Sequence, residues 1–290
     1  MYNNIIIPLD GSPLSEAVLP WAKAVVEKLA PGAVLTLLRT FEPPSTVYLL
    51  PELAVPTTHA ISDEYLSGLI AEYLQARSNE LGGFRVQTSM TLGDPATEIL
   101  NASDEADLVI MASHGRGGLG RWLMGSVTTK VVRGSTTPTM VVGSNSLEAH
   151  PEKVGRLKKF LAGYDGSEVS ERAFFTACDL ARRVKGSVHL YTAVTPVELA
   201  ASHALEMNRA TVEYFQDRHQ SLMDQVDDLD LYSTVEEADD APDIAETAEE
   251  WGADLVVIGS HGQGGFRRWA IGGQTERTIQ YAGCPVLITH

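Results

Sequence analysis

The chain contains two phrases that each occur twice, and this repetition constrains its fold more than any other feature. Residues 10–16 (DGSPLSE) recur as residues 165–171 (DGSEVSE), and residues 106–115 (ADLVIMASHG) recur as residues 253–262 (ADLVVIGSHG). The order is the same in both copies. An internal repeat of this length predicts two homologous domains.

The length supports this division, because 290 residues are enough for two domains that each bury a core. We expect domain 1 at residues 1–145, domain 2 at residues 156–290, and a polar linker at residues 146–155. The two cysteines, Cys178 and Cys284, are too few for a disulfide framework or a four-ligand metal site. They are interpreted as buried small hydrophobes in a cytoplasmic protein.

Charge and hydropathy exclude two classes of partner. The net charge of −16, with nine carboxylates in residues 224–243, argues against a sequence-independent grip on nucleic acid, which requires a basic surface. No apolar run approaches the roughly 18 residues that a membrane span needs. A phosphate ligand would therefore be held by backbone N–H groups and a few basic side chains.

Strands alternate with helices along both copies, which predicts an α/β fold of two repeated, doubly wound domains with parallel sheets. Helices are expected at residues 13–29, 63–81, 95–105 and 126–133, and residues 42–62 form a long surface excursion. Strands are expected at residues 4–10, 34–38, 85–91, 108–112 and 139–142 in copy one, and at residues 159–164, 187–192, 231–235, 255–259 and 286–289 in copy two.

Ligands of open α/β sheets bind beyond the carboxyl ends of the strands, where the strand order reverses. Asp10 and Asp165 end the first strand of each copy, and a glycine-rich loop follows the fourth strand of each copy. If the first and fourth strands are neighbours, both repeated phrases face one crevice.

The two loops have the composition of a phosphate cradle. Their glycines allow backbone N–H groups to approach a ligand closely. Gly125-Ser126 and Gly272-Gly273 then begin a helix, whose N-terminal N–H groups and dipole favour an anion.

These phrases resemble the universal stress protein family in its tandem two-domain form. The ATP-binding members of that family carry Gly-x2-Gly-x9-Gly-(Ser/Thr) after the fourth strand and an Asp at the end of the first. The resemblance implies five-stranded sheets in the order 3-2-1-4-5. The positions that match or replace the pattern are Ala112, Gly115, Gly125 and Ser126 in copy one, and Gly259, Gly262, Gly272 and Gly273 in copy two.

Each copy departs from the pattern once. Ala112 adds a methyl group, which is harmless if the residue keeps a β conformation. Gly273 removes a hydroxyl whose hydrogen bond to a phosphate would contribute roughly 1.5–3 kcal/mol. We therefore expect copy one to hold a triphosphate better than copy two.

The resemblance also assigns roles to the ends of the first two strands. Asp10 and Asp165 would accept hydrogen bonds from ribose hydroxyls, whereas the alternative is that Asp-Gly-Ser is only a turn and a helix cap. Thr40 and Ala193 would place backbone groups against the adenine.

The resemblance implies an ATP-binding stress regulator, with Mg²⁺ bridging the phosphates. A nucleotide-free interaction module is the alternative. There is no Walker-type Gly-Lys-Ser/Thr, so catalysis is not expected, although a slow ATPase stays open. The domains should form an internal pseudo-dimer through strands 139–142 and 286–289, and pairing of two chains into a homodimer stays open.

Overall fold

The computed structural model describes residues 2–41, 63–113, 124–148, 153–194, 201–237, 243–260 and 273–290. The strands are β1 Asn4–Pro8, β2 Val34–Phe41, β3 Arg85–Leu92, β4 Leu108–Ala112, β5 Thr139–Val142, β6 Lys159–Gly163, β7 Ser187–Val194, β8 Asp230–Glu237, β9 Leu255–Gly259 and β10 Val286–Thr289. The helices are α1 Pro13–Glu16, α2 Leu19–Lys28, α3 Asp63–Glu80, α4 Pro95–Ser103, α5 Ser126–Gly134, α6 Ser144–Glu148, α7 Glu168–Val184, α8 Ala201–Met223, α9 Ile244–Trp251 and α10 Gly273–Tyr281. The predicted excursion at residues 42–62 lies outside the described residues.

All ten of these strands belong to one sheet, in the order β3-β2-β1-β4-β5-β10-β9-β6-β7-β8. Each half has the order third-second-first-fourth-fifth with parallel pairing, which confirms the predicted doubly wound α/β fold. The halves meet where β5 pairs antiparallel with β10, with Met140 opposite Leu287. The prediction that the two closing strands form the contact between the domains is therefore confirmed.

The hydrophobic core continues across this junction. Every residue of β4, β5 and β10 is buried, because helices cover both faces of the sheet. One apolar cluster contains Trp21 from the first half, Phe174 from the second, and Met140 and Leu287 from the junction itself. Within the described part of the chain, no helix has the length and apolar character needed to cross a bilayer.

The prediction of one continuous helix at residues 13–29 is wrong. The chain forms two helices, α1 and α2, with Pro20 near the start of the second. Proline has no N–H for the carbonyl of Glu16, and its ring clashes with that carbonyl, so the first helix ends there. In the second half Phe175 occupies the equivalent position, and α7 is continuous from Glu168 to Val184.

Further boundaries differ from the predictions. β1 ends at Pro8 and β6 at Gly163, so Asp10 and Asp165 lie in the turns that follow these strands and do not end them as predicted. β2 and β7 extend to Phe41 and Val194, because the third strand of each half pairs with them along their whole length. The predicted linker begins inside a short helix, α6, rather than in irregular chain. Asn145 on α6 donates a hydrogen bond to the carbonyl of Tyr281 on α10 at 3.2 Å, so this helix belongs to the junction between the halves.

Gly143, directly after β5, provides a test of this junction. A Cβ at this position would lie 2.7 Å from the carbonyl oxygen of Ile279 in α10. We expect Gly143→Ala to destabilise the protein by about 1–3 kcal/mol, since backbone atoms would have to move apart. The measurement is urea unfolding. Gly68→Ala is the control, because no atom lies within 4 Å of a Cβ there, and equal stability of the two variants would contradict the prediction.

Candidate functional site

The first and fourth strands are neighbours in both halves. Ile5 of β1 lies between Leu35 of β2 and Leu108 of β4, and in the second half Phe160 of β6 is paired on both sides in the same way. The strand order therefore reverses between the first and fourth strands. In each half the Asp-Gly-Ser phrase begins, and the phrase that contains the fourth strand ends, at the same carboxyl edge of the sheet, as the sequence predicted.

The Asp-Gly-Ser phrase forms a closed turn that begins the next helix. Asp10 Oδ1 accepts hydrogen bonds from Ser12 N at 2.9 Å and from Ser12 Oγ at 2.5 Å. Ser12 Oγ in turn accepts from Ser15 N at 3.2 Å, which caps α1. Gly11 has a φ of 75°, a conformation that favours glycine.

The second half repeats this network closely. Asp165 Oδ1 accepts from Ser167 N at 3.0 Å and from Ser167 Oγ at 2.6 Å, and Gly166 has a φ of 85°. The aspartates thus orient the capping serines. Asp10 and Asp165 are both half-buried at the carboxyl edge. Their contact with a ribose stays a prediction.

At the start of α5, the chain makes two hydrogen bonds back to the end of β4. Gly125 N donates to Ser113 O at 2.8 Å, and Thr128 Oγ1 donates to Ala112 O at 3.0 Å. Gly125 is the N-cap of α5 and makes no side-chain capping bond, while Ser126 is exposed in the first turn. The N-terminus of α5 therefore lies beside the end of β4.

The second half has the same connection. Thr275 Oγ1 donates to Gly259 O at 3.4 Å, and α10 begins at Gly273. Three glycines of the predicted pattern, Gly115, Gly262 and Gly272, lie outside the described residues, so their contact with phosphate stays a prediction.

The structure explains why copy two has a glycine at the first position of the glycine pattern. A Cβ on Gly259 would lie 2.8 Å from Val169 Cγ1 and 3.3 Å from Ser170 N, so α7 packs directly against this glycine. Its φ is not positive, and among the described non-glycine residues only Lys185 has a positive φ. Ala112 therefore keeps the β conformation under which its methyl group was expected to be harmless.

The ends of the second and third strands differ between the halves. In copy one, Thr40 lies opposite Thr91 and their hydroxyl oxygens are 3.1 Å apart. In copy two, the exposed Ala193 lies opposite Glu236, whose Oε2 accepts from the hydroxyl of Tyr191 at 3.2 Å. Sequence reasoning missed Thr91 and Glu236, although an alignment of the two third strands would have paired them.

A second missed difference concerns the residue before each aspartate. Arg39 donates from Nη1 to the carbonyl of Leu9 at 3.1 Å, and its guanidinium carbon lies 5.9 Å from the centre of the Tyr73 ring. The equivalent carbonyl, that of Tyr164, accepts instead from Thr192 Oγ1 at 2.6 Å. Copy one therefore has a permanent positive charge at the carbonyl that follows its first strand, and copy two has a neutral hydroxyl at the equivalent carbonyl.

The hydroxyl of Thr192 also determines the tautomer of a buried histidine, His219. Its single proton goes to the Tyr164 carbonyl, so at 2.9 Å it accepts from Nε2–H of His219. His219 is 1% exposed, and its Nδ1 has no hydrogen-bond partner. Burial, with a smaller contribution from His189, lowers the pKa of His219 to about 4.

One ion pair is repeated beside the helix that follows each loop. Lys130 of α5 lies 3.3 Å from Asp94, and Arg277 of α10 lies 3.3 Å from Asp243. Both aspartates are N-caps of the preceding helix. Within the described ranges, no three His, Cys, Asp or Glu side chains are grouped as a metal site.

The family model and the most similar relatives point to the same protein family. A model of the universal stress protein family matches residues 1–143 and 156–290. A universal stress protein of Mycolicibacterium smegmatis is 29% identical over 296 residues, covering 98% of this chain and 96% of its own length. One from Mycobacterium tuberculosis is 26% identical over 295 residues, covering 99% and 96%.

One solved structure shares the fold over nearly the whole chain. A universal stress protein from Archaeoglobus fulgidus superposes with a TM-score of 0.67 at 20% identity, covering 99% of this chain and 98% of its own. A universal stress protein solved in complex with cAMP matches 49% of this chain and 97% of its own at 20% identity, with a TM-score of 0.36. From the two family matches, which together span nearly its whole length, this chain belongs to the universal stress protein family.

Proposed function

We propose that this protein is a cytoplasmic, nucleotide-dependent stress regulator that binds ATP with Mg²⁺ in two similar but unequal pockets. The observation that carries the proposal is the repeated pairing of an Asp-Gly-Ser turn with a glycine-rich connection at the point where the strand order reverses. The buried, unpaired Cys178 and Cys284 suit a reducing compartment.

Each part of the nucleotide has a candidate partner. Asp10 and Asp165 would accept hydrogen bonds from the ribose, and the base would lie against the backbone at Thr40 and Ala193. The phosphates would meet the N-terminus of the helix after the fourth strand, where the uncapped first turn of α5 favours an anion. Mg²⁺ would be held chiefly by phosphate oxygens, because the described residues offer no cluster of protein ligands.

The two pockets should differ in their affinity for a triphosphate. Copy one has the Ser126 hydroxyl at the helix N-terminus and the Arg39 guanidinium behind the first strand. Copy two has Gly273 and Thr192 at these positions. Fewer hydrogen-bond donors and less positive charge both weaken the binding of phosphate, so copy one should bind ATP more tightly.

The test uses the intact chain. We expect ATP in the mass spectrum of the denatured protein, and isothermal titration should resolve two sites of unequal affinity. Gly115→Val should remove the tighter site and Gly262→Val the weaker one, because a side chain would fill the space for the phosphate. Retention of ATP by the double variant would refute the proposal, and tighter binding by copy two would refute the order of affinities.

The alternative is a nucleotide-free interaction module, which the departure from the motif at Gly273 favours. In that case the denatured protein would release no nucleotide and titration would give no heat at either site. The same titration therefore separates the two functions.

A further inference from the structure

The two halves differ in chemistry where the proposed nucleotide base would lie. Each half pairs the end of its second strand with the end of its third strand in the same register, Thr40 with Thr91 and Ala193 with Glu236. Copy one therefore presents two hydroxyls at a place where copy two presents a methyl group and a carboxylate.

The Glu236 side chain is held in place at this edge. It is half-buried, and its Oε2 accepts from the hydroxyl of Tyr191, a residue that is 1% exposed. Burial raises the pKa of Tyr191 to about 12, so this phenol keeps its proton at neutral pH. One lone pair of the carboxylate is occupied in this way, and a carboxylate has about four positions that accept hydrogen bonds.

We propose that the pocket of copy two selects guanine over adenine, with Glu236 as the residue that determines the choice. This inference rests on the proposed nucleotide binding. The Watson–Crick edge of guanine presents two adjacent donors, N1–H and the N2 amino group, which suit a carboxylate that only accepts hydrogen bonds. Adenine presents one donor beside the N1 lone pair, and this lone pair would face the carboxylate without a proton between them.

Copy one lacks this selection. The hydroxyls of Thr40 and Thr91 are 3.1 Å apart, and each can donate as well as accept. They can therefore adapt to either purine. The two pockets would respond to different nucleotides, which the duplicated fold by itself does not indicate.

The experiment measures copy two in the intact chain. In the Gly115→Val background, isothermal titration with GTP and with ATP should give at least about a tenfold preference for GTP, as expected of a two-bond base contact. Glu236→Gln replaces one acceptor with a donor and should abolish or reverse this preference, because an amide matches the donor and acceptor of adenine. Equal or tighter binding of ATP, unchanged by Glu236→Gln, would overturn the inference.

A matched variant transfers the feature to copy one. In the Gly262→Val background, Thr40→Ala with Thr91→Glu recreates the pair found in copy two and should raise the GTP-to-ATP affinity ratio by at least about tenfold. An unchanged ratio in a folded variant contradicts the inference while nucleotide binding stands. Failure of both nucleotides to bind copy two in the folded Gly115→Val protein would refute the inference together with the proposed function of that pocket.

Discussion

Each half of the chain, expressed alone as residues 1–145 or 156–290, is expected to form a homodimer or to aggregate rather than to stay monomeric. The reason is the junction between β5 and β10, where two fully buried strands share their hydrogen bonds. Without its partner, each closing strand becomes an exposed apolar edge that can pair with another copy. The antiparallel pairing has near two-fold symmetry, so self-pairing requires little change in geometry.

Size-exclusion chromatography with light scattering measures this directly. Mixing the two fragments should recover a one-to-one complex, because Asn145 of the first fragment has its partner on α10 of the second. A soluble, monomeric half at micromolar concentration would contradict the prediction. The intact chain is therefore the right material for comparing the two pockets.

The second large effect is a loss of stability in acid that originates in His219. Because its pKa is lowered from 6.5 to about 4 in the folded protein, the unfolded chain takes up a proton first as the pH falls. This contribution to stability is fully present above pH 6.5 and is lost as the pH falls towards 4. The difference in pKa corresponds to about 3 kcal/mol of unfolding free energy.

The physical cause is that protonation would create a buried N–H on Nδ1, which has no acceptor. The surrounding groups offer little compensation: Thr192 donates elsewhere, the Tyr164 ring packs edge-on, and Arg218 on the same helix is paired with Glu171. His189, the other histidine that acts on it, is itself buried and has a lowered pKa.

His219→Gln removes the titrating group and keeps an N–H donor for Thr192. Urea unfolding of this variant between pH 7 and 4 should lose about 3 kcal/mol less stability than the wild type. His189→Gln is the comparison: that ring bonds to Thr234 on the opposite face of the sheet and also has a pKa lowered by burial, so its removal should reduce the acid sensitivity less than His219→Gln does. If the pH dependence of His219→Gln matched that of the wild type, another group would be responsible for the acid sensitivity.

The sequence was most informative where one local property determines the structure. The fourth and fifth strands were predicted at their observed limits, because uninterrupted apolar runs are typical of strands buried on both faces. The break before Pro20 was missed because helical spacing of apolar residues continues through it. The effect of a proline within such a pattern outweighed the pattern itself.

The candidate site was predictable only in part, for a physical reason. The Asp-Gly-Ser turns are local, and the residues that form them lie together in the sequence. The pairs Thr40–Thr91 and Ala193–Glu236 depend on the register between two strands that are far apart in the chain. The contact of Arg39 with Leu9 likewise joins two neighbouring strands. Periodicity within one strand does not contain this information.

The antiparallel pairing of β5 with β10 has a geometric consequence for access. All strands within a half run parallel, so the carboxyl ends of the first half point one way and those of the second half point the opposite way. The two proposed pockets therefore open at opposite edges of the single ten-stranded sheet. A partner that binds along one edge of the sheet cannot also cover the pocket at the opposite edge. Any coupling between the two pockets would have to be transmitted through the sheet from one edge to the other.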